Sequence, residues 1–384
     1  MQIENFRNSP AGRVLKTPAG FYAFVPHPLP PDLTWYQELV VTLSAADRAV
    51  GELAGLGRTL PNPRLLIRPF MRREAVLSSR IEGTQASLND LIAYDVIPQL
   101  THFEFPSDVQ EVKNYVLALE YGLERLATLP ISLRLLREVH SRLMQGVRGS
   151  EKMPGEFRRG PNWIGPPGST VETAVYVPPP VDEMQGALDA FEHYLNMPSR
   201  LPPLVRLGLI HLQFEAIHPF MDGNGRVGRL LLVLLMCAWE LLPQPLLYLS
   251  AYFEKFRQIY YDLLLDVMQR GVWEAWLVFF LNGVVEQSLD ASSRIQRMQN
   301  LHSEYRSRVQ GERASARLLD LVDYLFSQPL LTIKQVSLAL EVNYSMAQRY
   351  VAQLEKFAIL REITGQARNR AYRADAVLDA IEIR

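Results

Sequence analysis

Twelve consecutive residues, His218-Pro219-Phe220-Met221-Asp222-Gly223-Asn224-Gly225-Arg226-Val227-Gly228-Arg229, bring a titratable base, an acid, glycines and two arginines into one short segment. The apolar pattern before it predicts a helix ending at Ile217, and the pattern after it predicts another starting near Arg226. Gly223 and Gly225 allow a tight loop between the two helices, because glycine adopts backbone geometries that other residues resist. The first N–H groups of the second helix have no partner within it, so they point into the loop and form an anion site. Arg226 and Arg229, three residues apart, are expected to share a helix face beside that site. His218 is placed to act as a general base and Asp222 to hold Mg²⁺. Such a set suits phosphoryl chemistry, in which positioning and charge neutralisation carry most of the catalysis.

Other readings of the same letters are weaker. Gly223, Gly225 and Gly228 spell a dinucleotide fingerprint, but that fingerprint needs a strand before it, and here a helix precedes. A calcium loop needs an oxygen ligand where Arg226 stands and a glycine where Val227 stands. His211 and His218 lie two helical turns apart, too far to share one metal ion without help from the loop. A plain capped turn with surface arginines leaves the convergence of polar types unexplained.

The chain that must position these groups has 384 residues, enough for roughly two or three domains at about 150 residues each. Forty basic against 41 acidic residues give a net charge of -1, which argues against a nucleic-acid coat protein. Its single cysteine, Cys237, excludes a disulfide framework and a multi-cysteine zinc site, and its apolar surroundings suggest a buried, inert thiol. No apolar stretch reaches the roughly 20 residues a membrane span needs. No signal-peptide core opens the chain, so a soluble cytoplasmic protein is expected.

Prolines 26, 28, 30 and 31 suggest an irregular, extended path over the first 35 residues. Helical periodicity begins at Trp35 and returns from about Pro69 to Ile81, where Gly83 ends it. Ser87 to Asp90 read as the cap of a further helix. The stretch 154–180, rich in Gly and Pro, suggests an exposed hairpin with strands at 162–164 and 171–177. Helices are expected at 182–195 and 203–217, from about 226, and up to about 310. In the last 70 or so residues, short helices over 318–326, from a Thr332 cap and from a Ser345 cap precede strands at 359–363 and 370–373, which is winged-helix order. The expected fold is mainly α, a helical bundle with a β-hairpin flap, divided into residues 1–105, 106–310 and a winged helix over 311–384.

The run from His218 to Arg229 resembles the signature HPFxDGNGRxxR of the Fic-domain proteins, and all nine specified positions agree. Pro154-Gly155-Glu156-Phe157-Arg158, followed by Asn162-Trp163-Ile164-Gly165, is similar to the family's approach to its flap. The resemblance implies a Fic-type bundle and a protein adenylyltransferase, which moves AMP from ATP to a Ser, Thr or Tyr hydroxyl of a protein, itself included. By that resemblance His218 takes the hydroxyl proton with an imidazole pKa near about 6.5, and Asp222 holds Mg²⁺. Gly223, Asn224 and Gly225 cradle the phosphates, Arg226 steadies the β-phosphate and Arg229 reaches the γ-phosphate. Tyr260 and Tyr261 lie in the segment similar to the one beside the nucleoside. The family's kinase-like branch carries Lys where this chain has Gly225.

Resemblance extends upstream. Ser78-Ser79-Arg80-Ile81-Glu82-Gly83 fits the family's inhibitory pattern Ser/Thr-x-x-x-Glu-Gly/Asn, on a helix over about 69–83. It implies that Glu82 pairs with Arg229 and denies the γ-phosphate its productive place. The hairpin edge would hold a target segment by strand addition. In the tail Arg349, Lys356, Arg361, Arg368, Arg370 and Arg373 outnumber Glu355 and Glu362, which leaves DNA binding open. A homodimer is likewise left open. The competing function is a DNA-binding regulator that uses the Fic domain to sense nucleotide, or a Fic enzyme that transfers or removes another phosphate-linked group.

Overall fold

Two short strands open the chain, β1 (Gly12–Lys16) and β2 (Tyr22–Pro26), antiparallel with Gly12 opposite Pro26. The structure is a computed structural model that describes residues 1–60, 63–94, 96, 106–310, 315–366 and 368–382. This hairpin replaces the irregular path expected of the first 35 residues. Ala23, Phe24 and Val25 of β2 are buried in succession, so the strand lacks the in-and-out alternation that would reveal it in sequence. The prolines do end it, at Pro26.

Helices follow. α1 (Gln37–Thr59) buries Leu39, Leu43, Ala46, Val50 and Leu53, the spacing seen in the sequence. α2 (Pro63–Ile81) starts six residues earlier than expected and holds Pro69 inside it. Packing against neighbouring helices outweighs the lost backbone hydrogen bond. Ser87 and Asp90 exchange cap bonds at the head of α3 (Leu88–Tyr94). α4 (Ser107–Arg125), α5 (Leu133–Leu143) and α6 (Val181–Asn196) lead to α7 (Pro203–Ile217), which is buried almost all round. α8 (Asn224–Ala238), α9 (Ser250–Lys255), α10 (Arg257–Arg270) and α11 (Trp273–Val309) complete the bundle. Trp276 of α11 donates its indole N–H to the Gly208 carbonyl of α7 at 2.9 Å, which fixes the central helix against the longest one. No helix among the described residues is long and apolar enough to cross a membrane.

Residues 162–164 and 171–177 were expected to pair as two strands. They meet at a single antiparallel bridge, Ile164 with Tyr176. Gly165-Pro166-Pro167-Gly168 between them shortens the ladder, since proline donates no N–H. The end of the chain holds α12 (Ala316–Ser327), β3 (Leu330–Thr332), α13 (Ile333–Ala339), α14 (Tyr344–Lys356), β4 (Arg361–Glu362), β5 (Ala371–Arg373) and α15 (Asp375–Glu382). Thr332 caps α13 in a full capping box, as its sequence suggests. Asn343, rather than Ser345, caps α14 by accepting the Met346 N–H at 2.8 Å. An Asn two residues earlier does the same chemistry, and the two were not separable by pattern. β5 lies between β3 and β4, so the sheet has three strands where two were expected. The division at 105/106 has its first side outside the described residues, as has the second side of the division at 310/311. α1 and α2 share one continuous hydrophobic core with α4 to α11.

α2 packs most extensively against α4, α9 and α12. Arg72, almost fully buried, donates to the Ser327 carbonyl and to Gln328 Oε1 at the end of α12. The helix that carries Ser78 and Glu82 is therefore fixed along its length before it reaches the site.

Candidate active site

α7 ends at His218, whose backbone turns left-handed with φ 50° and ψ 59°. A non-glycine residue there is strained and persists only where its surroundings impose the geometry. Three side chains impose it. Arg158 Nε and Asn162 Nδ2 donate to the His218 carbonyl at 3.0 and 3.2 Å. Arg158 also donates to the carbonyls of Pro179 and Ile217, and Asn162 to that of Phe220 at 2.8 Å. Asn224 closes the loop from the other side, accepting the Phe220 N–H and donating to the Phe220 carbonyl, both at 2.8 Å.

His140 of α5 supports the same loop, and its sequence gave no sign of this. Its ring stacks on Phe220 with centroids 3.8 Å apart. Nδ1 accepts the Gly155 N–H at 2.9 Å, so the proton sits on Nε2, which donates to the Asp222 carbonyl at 3.0 Å. Burial, the dominant influence, pushes this imidazole down to about 4, so it stays neutral and keeps that tautomer.

The His218 ring has the opposite tautomer. Nδ1 lies 3.3 Å from the Glu215 carbonyl, which can only accept, so Nδ1 carries the proton and Nε2 keeps its lone pair. Burial first, then the Arg158 charge, push the imidazole down to about 4. The ordinary value near about 6.5 expected from sequence is thereby corrected. A depressed pKa leaves the basic form populated at all pH values above about 4. Because kcat/KM reports the free protein, its acid limb is expected near pH 4, well below the range of a free imidazole. Rates measured between pH 4 and 8 check this; a half-loss of kcat/KM near pH 6.5 would contradict it.

His218 faces a cavity of about 730 Å³ whose wall also includes Gly225, Arg229, Glu82, Tyr260 and Tyr261. The flap contributes Trp163, Ile164 and Val175 to the rim. Asn224 begins α8, and the first N–H groups of this helix have no partner within it, where the sequence leads one to expect an anion site. Gly223 has φ 78°, and a β-carbon there would also stand 2.9 Å from Met144 Sδ. A β-carbon on Gly225 would run into Glu82 Oε1 and stand 3.0 Å from Arg229 Nη1. No larger residue fits at that place while Glu82 is present.

The other expected site residues are placed as follows. The Asn224 side chain is used within the loop, so it is the backbone N–H of this residue that remains for an anion. Arg226 and Arg229 are both buried, and their guanidinium groups diverge. Arg226 pairs with the buried Glu111 of α4 at 3.2 Å and lies 3.6 Å from Asp222, away from the cavity wall. A buried carboxylate requires a cation, and Glu111 takes this one. His211 is not paired with His218: its Nε2 lies 2.9 Å from Tyr260 Oη in an aromatic cluster, and burial pushes it down to about 3. Tyr260 is accordingly held in the core, whereas Tyr261 is 37% exposed, with the Arg257 guanidinium over its ring.

Arg229 has the partner that the resemblance implies. Its Nη2 donates to Glu82 Oε1 at 2.7 Å and to the Ser78 carbonyl at 2.9 Å, while Nε donates to Ser78 Oγ at 2.9 Å. Burial would raise the Glu82 carboxyl, but the charge and hydrogen bond of Arg229 hold it below its usual value. Gly83 follows with φ 97° and ends the helical turn. Asp222 is partly exposed: Oδ1 accepts the Gly223 N–H at 2.7 Å, and Oδ2 lies 3.2 Å from Lys152 Nζ. No cluster of three or more metal-ligating side chains occurs among the described residues.

Comparison with known proteins agrees with this geometry. A model of the Fic/DOC family N-terminal region matches residues 40–124, and a model of the Fic/DOC family matches residues 130–236. The chain is 34% identical over 125 residues to the protein adenylyltransferase Fic of Drosophila virilis, covering 32% of this chain and 24% of that protein. The same figures hold for the protein of that name from Drosophila grimshawi. These matches therefore span about a quarter of the length of the curated relatives. A Fic family protein from Desulfovibrio desulfuricans G20 superposes with a TM-score of 0.56 at 20% identity, over 90% of this chain and 98% of that one. A Fic domain containing signaling protein from Bacteroides thetaiotaomicron gives 0.50 at 17% identity, over 64% and 95%. With two adjoining family models, a common fold and every specified signature residue gathered around one loop, the chain belongs to the Fic/DOC family.

Proposed function

We propose that this protein transfers AMP from ATP to a hydroxyl of a protein, and that Glu82 restrains the reaction. The observation that carries the reading is the neutral His218, with Nε2 free, on a cavity that also holds the start of α8 and Arg229. A general base and an anion site on one cavity suit attack by a hydroxyl on a phosphate. In this reading the hydroxyl oxygen forms a bond to the α-phosphorus as its proton passes to His218 Nε2. The bond from that phosphorus to the bridging oxygen breaks, and pyrophosphate leaves. The backbone N–H groups of Asn224 and Gly225 bind phosphate oxygens. Arg226 lends its charge from behind the loop, and Arg229 meets the γ-phosphate once Glu82 has left it.

The residues present fit Mg²⁺. Asp222 offers one partly exposed carboxylate beside the start of α8, and Mg²⁺ commonly takes one or two carboxylates together with phosphate oxygens and waters. Bound there it would neutralise phosphate charge. Lys152 would give up its contact with Asp222 to admit it.

The exposed edge at Ile164 and Val175 is suited to hold an extended target segment by its backbone. A protein that modifies itself would present its own segment there. The terminal module has the strand and helix order of a winged helix, but Asp375 binds both Arg361 and Arg373, which lowers the charge available to DNA phosphates. The nucleotide-sensing regulator is therefore less well supported than the transferase.

Incubation of the Glu82→Gly protein with ATP labelled at either the α- or the γ-phosphate tests the reading. Label is expected to join protein from the α-position and not from the γ-position. Label from the γ-position alone, or from neither, would overturn AMP transfer.

A further inference from the structure

Glu215 stands on α7 three residues before His218 and is one of the residues that line the cavity. Neither the signature loop nor the Glu82 contact uses it. Its Oε1 is buried with no hydrogen-bond partner among the described residues. That oxygen lies against α8 at Gly228, where a β-carbon would stand 2.5 Å from it. An unpaired buried polar atom is destabilising, and a native structure keeps few of them without a reason. Glu215 also lines the cavity together with Tyr260 and Tyr261, so a ligand bound there meets its side chain.

The surroundings say which part of a ligand. Arg229 faces Glu215 from α8, Glu82 from the end of α2, and Tyr260 from α10. Arg229 is already bound by Glu82 and Ser78. Burial pushes the Glu215 carboxyl up to about 8 despite the pull of Arg229, with the Glu82 charge adding to the rise. At neutral pH it therefore carries a proton and offers one donor and one acceptor without charge. Phosphate oxygens accept only and seek cations or N–H groups, which Arg229 and the start of α8 provide. An uncharged donor–acceptor pair suits instead a ribose hydroxyl, or a purine edge on which an acceptor and a donor stand side by side.

We propose that Glu215 hydrogen-bonds the nucleoside half of the bound nucleotide and so helps select the substrate. This rests on the nucleotide-binding reading of the cavity. Glu215 acts on substrate directly rather than through the phosphate-binding groups, and the two roles separate by experiment.

The full-length Glu82→Gly protein serves as parent, with Glu215→Leu and Glu215→Gln added to it. Dissociation constants are measured in Mg²⁺ for ATP, 2′-deoxy-ATP, 3′-deoxy-ATP, GTP and inorganic tripolyphosphate. Glu215→Leu is expected to weaken ATP about tenfold, the equivalent of about 1.4 kcal/mol, and tripolyphosphate by less than about twofold. Glu215→Gln keeps a donor and an acceptor, so ATP binding stays within about threefold of the parent and shows that the fold tolerates change there. If the leucine penalty disappears for a deoxy analogue, the partner is that hydroxyl; if it disappears for GTP, the partner is the purine edge. Equal ATP affinity in parent and Glu215→Leu overturns the proposal, as does an equal loss for tripolyphosphate. A parent that binds no ATP at all overturns the nucleotide reading itself.

Discussion

Glu82→Gly is expected to raise protein adenylylation roughly 10- to 100-fold, because hydrogen bonds to charged groups contribute about 1.5–3 kcal/mol and in the proposed function that energy opposes the productive place of the γ-phosphate. The contact is a 2.7 Å bond between Glu82 Oε1 and the buried Arg229. It lies where a β-carbon on Gly225 would meet Glu82, and in the proposed function carboxylate and phosphate compete for this guanidinium. Intact-protein mass after incubation with ATP and Mg²⁺ measures the gain as added adenylyl groups. Ser78 keeps two bonds to Arg229 in the variant, so the guanidinium remains aimed at the cavity. Equal adduct in wild type and variant would show that Glu82 is not a restraint. Acid does not substitute for the mutation. The Glu82 carboxyl is held below its usual value, so the pair is fully formed above the unperturbed carboxylate range and is lost only as pH falls through the lowered value.

His218→Ala in the same Glu82→Gly background is expected to remove about 10²- to 10⁴-fold of the transfer rate, the usual contribution of a positioned general base. ATP binding should change little, because the anion site is built by the first turn of α8 and Arg229, and Asn224 and Asn162 close the loop through the Phe220 carbonyl and N–H. The pair of measurements, adduct mass and nucleotide affinity, separates loss of the base from collapse of the site. Transfer within about threefold of the parent would require another base, and the reaction assigned to Nε2 would fail. A loss of ATP binding would instead mean that the imidazole itself holds the loop, against the backbone bonds from Arg158 and Asn162.

The sequence determined which groups gather at the candidate site, because most of them are local. His218, Asp222, Gly223 and Gly225 lie within eight residues at the junction of two helices, and apolar periodicity predicts the bounds of the first and the start of the second to within two residues. Ser78 and Glu82 were legible as one helix face by their spacing, and only the resemblance connected them to Arg229, 147 residues from Glu82. Tertiary structure decided everything that depends on burial. It turned Arg226 toward Glu111 rather than alongside Arg229, since a carboxylate removed from water demands the nearest cation. It buried Tyr260 against His211 and left Tyr261 partly exposed, although the two are adjacent in sequence and both line the cavity. It recruited His140, Arg158 and Asn162 to hold a strained loop, and no pattern along the chain distinguishes such residues from others of their type. It lowered His218 to about 4 and raised Glu215 to about 8, three residues apart on one helix. Residue type and spacing fix which groups can meet; the desolvation of each group, and the charge left beside it, exist only once the helices have packed.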